Sequence, residues 1–229
     1  MSVCIKSLIQ NLNIVIGCTI GCGYCYARNN VKRFHTIDDF EKPEFFENKL
    51  RIMDKPCPHN FLLTGMSDLA GWSSEWQEQV FEMISRNPQH QFLFLTKRPD
   101  LLDIKTDLEN AWFGVTVTRK EELWRIDALR ENVKAKHYHA TFEPLFNDPE
   151  QVNLRGIDWI VVGTMTGACC KKIHTEPEWA VSLTEQAHSL SIPVFMKEDL
   201  SPIMGDMNMV QELPEAFGRV LEEQRKWHK

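Results

Sequence analysis

The chain has 229 residues, 43% of them hydrophobic and 25% charged, with seven cysteines and a formal net charge of −6. A chain of this size and mix builds a full hydrophobic core without disulfide staples, which excludes collagen-like, low-complexity and small disulfide-scaffold classes. The acidic balance gives no general electrostatic footprint for nucleic acid and leaves room only for a local basic groove. No apolar run approaches the ~20 residues that span a bilayer, so no membrane association is expected. The N-terminal apolar stretch carries one lysine, Lys6, is interrupted by Gln10, Asn11 and Asn13, and shows no small-residue cleavage site. A cytoplasmic protein without a secretory signal is the expectation.

In chain order, short β-rich runs alternate with helical stretches and turn signals. Strands are predicted over Leu12–Ile16, Phe61–Thr64, Gln91–Thr96, Trp112–Thr118, His137–Phe142, Ile157–Gly163 and Ile192–Lys197. Between them, Ser74–Ser85 places Trp76, Val80, Phe81 and Ile84 on one helical face, and Asn87-Pro88 ends it. Glu121–Asn132 repeats the pattern with Leu123, Ile126 and Leu129. Pro177–Leu190 has the stripe Trp179, Leu183, Ala187 and Leu190, with Thr175-Glu-Pro-Glu178 as a capping box. These stripes read as core contacts. Six to seven βα units in one chain predict an α/β fold, a parallel sheet curled into an open, partial TIM-type barrel. A closed eight-unit barrel takes about 250 residues. With no linker or repeat in view, a single domain over 1–229 is expected. In such folds the chemistry gathers where strands end and βα loops begin.

Three cysteines crowd into Gly17-Cys-Thr-Ile-Gly-Cys-Gly-Tyr-Cys-Tyr26, directly after the first predicted strand. Disulfide pairing suits neither an odd count nor a reducing compartment. Three thiolates within eight residues can converge on one metal if the backbone loops tightly, which Gly17, Gly21 and Gly23 permit. Zinc asks for four ligands, and here the fourth would have to be His35 or a distant cysteine. An ordinary four-iron cluster also asks for four cysteines. Three ligands without a fourth leave one iron open, which is a catalytic arrangement.

The C-x3-C-x2-C segment, with Tyr24 before its last cysteine, resembles the signature of the radical S-adenosylmethionine superfamily. The landmarks that follow (Met-Ser-Asp-Leu, Leu-Thr-Lys-Arg-Pro, Trp-Phe-Gly-Val-Thr-Val, Glu-Pro-Leu and Ile-Asp-Trp-Ile-Val-Val-Gly) resemble, in order, those of a phage-associated radical S-adenosylmethionine family of unassigned reaction. The likeness spans about Asn13 to Glu198, and within that family the chain resembles the radical SAM mobile pair proteins. The spore photoproduct lyase family is a more distant likeness. One departure stands out: the family's Gly-Gly-Glu-Ser-Gly reads Gly163-Thr-Met-Thr-Gly167 here, so Met165 replaces the glutamate.

The resemblance implies that Cys18, Cys22 and Cys25 hold a [4Fe-4S] cluster whose fourth iron is chelated by S-adenosylmethionine. It implies that one electron from an external donor such as flavodoxin or ferredoxin leads to a 5′-deoxyadenosyl radical, which abstracts hydrogen from a substrate. Tyr24 is then expected near the adenine, with a plain core tyrosine as the alternative. Ser67 and Asp68 are candidates for the cofactor's amino group, and Thr116 and Thr118 for its ribose hydroxyls or simply for the strand. Lys97 and Arg98 would hold the cofactor carboxylate or an anionic substrate group. On the fifth strand His137, His139, Thr141 and Glu143 share one face, expected to point into the barrel, with Lys197 as a partner for Glu143. Cys169 and Cys170 follow the sixth strand in a glycine-containing loop, where a thiol would donate a hydrogen atom, bind substrate or stay inert. Nucleic acid, a peptide and a paired radical SAM protein stand open as substrate or partner. The competing reading is a non-catalytic iron-sulfur or zinc protein acting as a partner subunit.

Overall fold

A computed structural model describes residues 2–166 and 175–227. Eleven strands are described: β1 Gln10–Asn11, β2 Val15–Ile16, β3 Glu44–Phe45, β4 Asn60–Leu62, β5 Gln91–Thr96, β6 Ile104–Lys105, β7 Ala111–Thr116, β8 Val133–Lys134, β9 His137–Phe142, β10 Trp159–Val162 and β11 Val194–Met196. The helices are α1 Tyr26–Phe34, α2 Ser74–Arg86, α3 Trp124–Asn132, α4 Pro177–Ser189, α5 Ser201–Met204 and α6 Glu215–Trp227. Seven strands form one sheet in the order β1-β4-β5-β7-β9-β10-β11, every pairing parallel. With α1 to α4 in the connections that leave β1, β4, β7 and β10 for the next strand of the sheet, this is the expected open, partial TIM-type barrel. Two further pairs stand apart, β2 with β3 and β6 with β8.

The sheet is buried on both faces, which is why its strands read as nearly continuous apolar runs. One face carries Phe61, Phe92, Phe94, Phe113, Val115, Ala140, Phe142, Ile160 and Met196 against Val80 and Ile84 of α2, Ile126 and Leu129 of α3, and Leu183 and Ala187 of α4. The inner face is closed lower down by Leu93, Trp112, Trp159, Val161 and Phe195, onto which α6 inserts Phe217. Period-two alternation then leaves Gly114 and Thr116 of β7 and His137, His139 and Thr141 of β9 facing inward above that apolar floor. His137 stacks on Trp112 at 4.3 Å, which fixes that direction. The outer edge of β11 is covered by the chain itself: Met196 N–H donates to Val210 O and Glu212 N–H to Val194 O, both at 2.7 Å.

Three sequence expectations need correcting. The run Leu12–Ile16 is not the first barrel strand; that place belongs to Gln10–Asn11, which pairs with Phe61 and Leu62, whereas Val15–Ile16 pairs antiparallel with β3. Apolar content there marks burial, with Ile14, Val15 and Ile16 all in the core, and not membership of the sheet. The capping box before α4 is also absent. Glu176 is the N-cap without a side-chain bond, and Thr175 instead donates to Leu145 O at 2.8 Å. The helix predicted from Glu121 begins at Trp124, after a 3-10 turn over Lys120–Glu122.

Candidate functional site

The loop from Gly17 to Cys25 crosses the C-terminal end of the sheet without regular structure. Gly17 has φ of 113°, and a Cβ there would meet Pro43 Cα at 2.7 Å, so only glycine fits both the conformation and the space. Met66 O accepts from Gly17 N–H and Phe40 O from Cys18 N–H, tying the loop to the end of β4 and to the segment before β3. Cys25 is the N-cap of α1, its Sγ accepting from Arg28 N–H at 3.5 Å. Cys18, Cys22 and Cys25 are free thiols at intermediate burial. Burial pushes the Cys18 thiol up to about 11, and Asp68, Cys22 and Cys25 add to the rise, so the three sulfurs and Asp68 sit in one electrostatic neighbourhood. Among the described residues no three His, Cys, Asp or Glu side chains are gathered as a closed metal site. The donor set nonetheless fits an iron–sulfur group: three free soft ligands on one irregular loop, with nothing within 4 Å of the positions a Cβ would take at Gly21 or Gly23.

Around this loop the strand ends supply polar groups. Asp68, 6% exposed, accepts from Thr96 Oγ1 at 2.6 Å, Lys97 N at 2.8 Å and Ala70 N at 3.0 Å, so its carboxylate fastens the end of β4 to that of β5. Burial nevertheless pushes its pKa up. Ser67 Oγ accepts from Trp72 Nε1 at 3.0 Å. Both residues stand at the expected strand exit, but their polar atoms already serve the loop. Lys97 turns inward: its ammonium lies 5.7 Å from the Tyr24 ring centroid, burial lowers its pKa, and among the described residues it has no ion-pair partner. Arg98, its neighbour on the alternating chain, is separated from it and held outside by Asp100 through Nε at 2.9 Å and Nη2 at 2.7 Å. The structure therefore brings Lys97 to the mouth and not Arg98.

Tyr24 packs edge-on to Phe146 at 5.3 Å, and burial raises its pKa. Thr118 donates to Glu122 Oε2 at 2.8 Å from both N and Oγ1, and Arg125 pairs with that carboxylate at 2.7 Å. Thr116 is buried beside Thr141, its register partner on β9. On the other side of the mouth the expected Glu143–Lys197 pair is present, and Asp199 Oδ2 stands 3.5 Å from the same ammonium. Burial pulls Lys197 down, but Glu143 and Asp199 outweigh it and raise its pKa. Met165 is buried. Cys169 and Cys170 lie outside the described residues.

The family model described as a protein of unknown function, DUF5131, matches residues 4–229. The chain belongs to the DUF5131 family. No curated protein matches it. Among solved structures, the DUF5131 chain is similar to a mutant of spore photoproduct lyase at 13% identity and TM-score 0.48, with 95% of this chain and 72% of that chain covered. A second mutant of that enzyme, with bound AdoMet and dinucleoside spore photoproduct, is similar at 12% identity and TM-score 0.45, with 94% and 60% covered. Among the described residues of this DUF5131 protein, no helix is long and apolar enough to cross a membrane.

Three residues of the mouth escaped the sequence reading. Tyr26, the first residue of α1, donates from its hydroxyl to Gly65 O and so pins the helix to the end of β4. Asp199 could have been found from its two-residue spacing after Lys197. Gly114 had no signal: its role depends on His139, whose ring lies where a Cβ at residue 114 would stand, 2.4 Å from Cε1 and Nε2.

His139 is 1% exposed, bonds Phe94 O through Nε2 at 3.0 Å, and leaves Nδ1 buried without a hydrogen-bond partner among the described residues. Burial lowers its pKa from 6.5 to about 4. Between those values the unfolded chain binds a proton that the fold refuses, so stability is complete above pH 6.5 and falls as pH drops toward 4. The gap corresponds to about 3 kcal/mol. Urea midpoints of the wild type and His139→Gln at pH 7 and pH 4.5 will show the larger acid loss in the wild type. Equal losses would remove His139 as the cause.

Proposed function

We propose that this chain is a radical S-adenosylmethionine enzyme, acting as one domain, with Cys18, Cys22 and Cys25 as ligands of a [4Fe-4S] cluster. The observation that carries the reading is the C-x3-C-x2-C set of free thiols on one loop at the C-terminal mouth of an open parallel barrel. When bound, the cluster and S-adenosylmethionine would supply one-electron chemistry that ends in hydrogen abstraction from a substrate. The chain's own residues bind, orient and exclude water. Lys97, half-buried and without an ion-pair partner among the described residues, is the residue for an anionic group, as the cofactor's carboxylate is. Tyr24, held by Phe146 and Lys97, offers a ring face for a purine. Asp68 and Ser67 shape the wall behind these groups through the bonds to Thr96, Lys97 and Trp72. Trp112, Trp159 and Phe195 seal the floor against water. An external one-electron donor completes the reaction.

The test is direct. Anaerobically reconstituted protein with dithionite and S-adenosylmethionine is expected to release 5′-deoxyadenosine. One tightly held zinc per chain, with no cofactor cleavage, would overturn the reading in favour of a non-catalytic metal protein.

A further inference from the structure

Tyr24 sits on the irregular stretch over residues 17–24, so its backbone has no helix or strand to fix the ring. The residues that meet it from the end of β9 are held far more firmly. Leu145 N–H donates to Gly163 O at 3.1 Å, Leu145 O accepts from Thr175 Oγ1 at 2.8 Å, and Phe146 N–H donates to Thr118 O at 2.9 Å. Those three partners lie past the end of β10, ahead of α4 and past the end of β7, and the Leu145 side chain is fully buried in the core. From this base the Phe146 ring reaches Tyr24, with centroids 5.3 Å apart and planes inclined at 77°. Arg119 lays its guanidinium over the Phe146 ring at 5.2 Å, and Lys97 meets Tyr24 from the end of β5. A near-perpendicular aromatic pair is directional, because the positive edge of one ring seeks the negative face of the other. One ring stands on a bonded frame and the other on a loop, so orientation passes from Phe146 to Tyr24.

We propose that Phe146 is a positioning residue for the adenosyl part of the cofactor: it sets the plane of the Tyr24 ring before the purine arrives, and Arg119 steadies Phe146 in turn. The inference rests on the purine-binding role given to Tyr24 above. A ring already oriented loses less freedom when it stacks, so the gain shows as affinity. Phe146 acts through Tyr24 in this role, so the turnover step is left alone.

Calorimetric titration of the reconstituted protein uses two probes, S-adenosylmethionine and methionine, which shares the amino-acid end but has no purine. Phe146→Leu is expected to weaken S-adenosylmethionine roughly three- to tenfold, the range of a perpendicular aromatic pair, and to leave methionine unchanged. Phe146→Tyr is expected to restore binding, and Arg119→Ala to weaken it roughly two- to threefold. In a Tyr24→Leu background the Phe146→Leu change is expected to add nothing, since its route runs through Tyr24. KM for S-adenosylmethionine should rise with the loss of affinity while kcat at saturation is kept. Melting temperatures report folding, and Arg119→Ala, at an exposed position, carries the test if Phe146→Leu does not fold. Equal weakening of both probes, unchanged affinity for S-adenosylmethionine, or a further loss in the Tyr24→Leu background would overturn the proposal. Weakened binding of S-adenosylmethionine alone, without any 5′-deoxyadenosine release, would leave the role of Phe146 standing and remove the proposed reaction. Release of 5′-deoxyadenosine with wild-type affinity in Phe146→Leu would do the opposite.

Discussion

Replacing Gly114 with alanine is expected to lower stability by about 3 kcal/mol or more, at or above the upper end of the usual cost of overpacking a core. The reason is steric. The new methyl would stand 2.4 Å from Cε1 and Nε2 and 2.6 Å from Cδ2 of His139, a ring that cannot step aside. It is fixed by its bond to Phe94 O and is buried over β7. Moving it would strand a carbonyl as well as break packing. Removing the ring should relieve the clash, so the double variant Gly114→Ala/His139→Ala should be more stable than the sum of the two single changes. Urea unfolding of the four proteins measures this, and a coupling below about 0.5 kcal/mol would show the two residues to be independent.

Alanine at Cys18, Cys22 or Cys25 should each cut the iron bound after reconstitution from about four per chain to a small fraction, and abolish cleavage of S-adenosylmethionine. The same change at Cys4 or Cys57 should leave both near wild type. Cys4 donates to Glu198 at 2.8 Å and Cys57 faces Pro58 O, so neither is part of the loop. The contrast matters because a general sensitivity of free thiols would affect all five. Far-ultraviolet circular dichroism should be preserved in the three loop variants, since that loop carries no regular structure over residues 17–24. Iron content that survives in any of the three would fail the ligand assignment. Loss of iron in Cys4→Ala would do the same.

The barrel was legible because its strands are buried on both faces. Runs such as Gln91–Thr96 and His137–Phe142 are bounded in the sequence where the structure bounds them. Amphipathic stripes likewise gave α2 and α4 to within a residue or two. The first strand was not legible, since Gln10–Asn11 is polar, exposed and two residues long, and owes its place to pairing with β4. The inward direction of His139, Thr141 and Glu143 followed from alternation, and so did the partnership of Glu143 with Lys197. Alternation also separates Lys97 from Arg98, which a motif read as a block conceals. Asp68 illustrates a further limit. Its place at a strand exit was readable, but the three donors that occupy it come from Thr96, Lys97 and Ala70, a local convergence that spacing does not encode.

The covering of β11 by residues 210–212 has a consequence for the molecule in solution. A barrel that does not close keeps two strand edges, and an unprotected edge is a template on which another chain can polymerise. Here one edge is a polar strand of two residues, too short to seed a ladder, and the other is already paired with the chain's own backbone. The gap in the barrel can therefore stay wide enough to admit ligands without inviting β-aggregation.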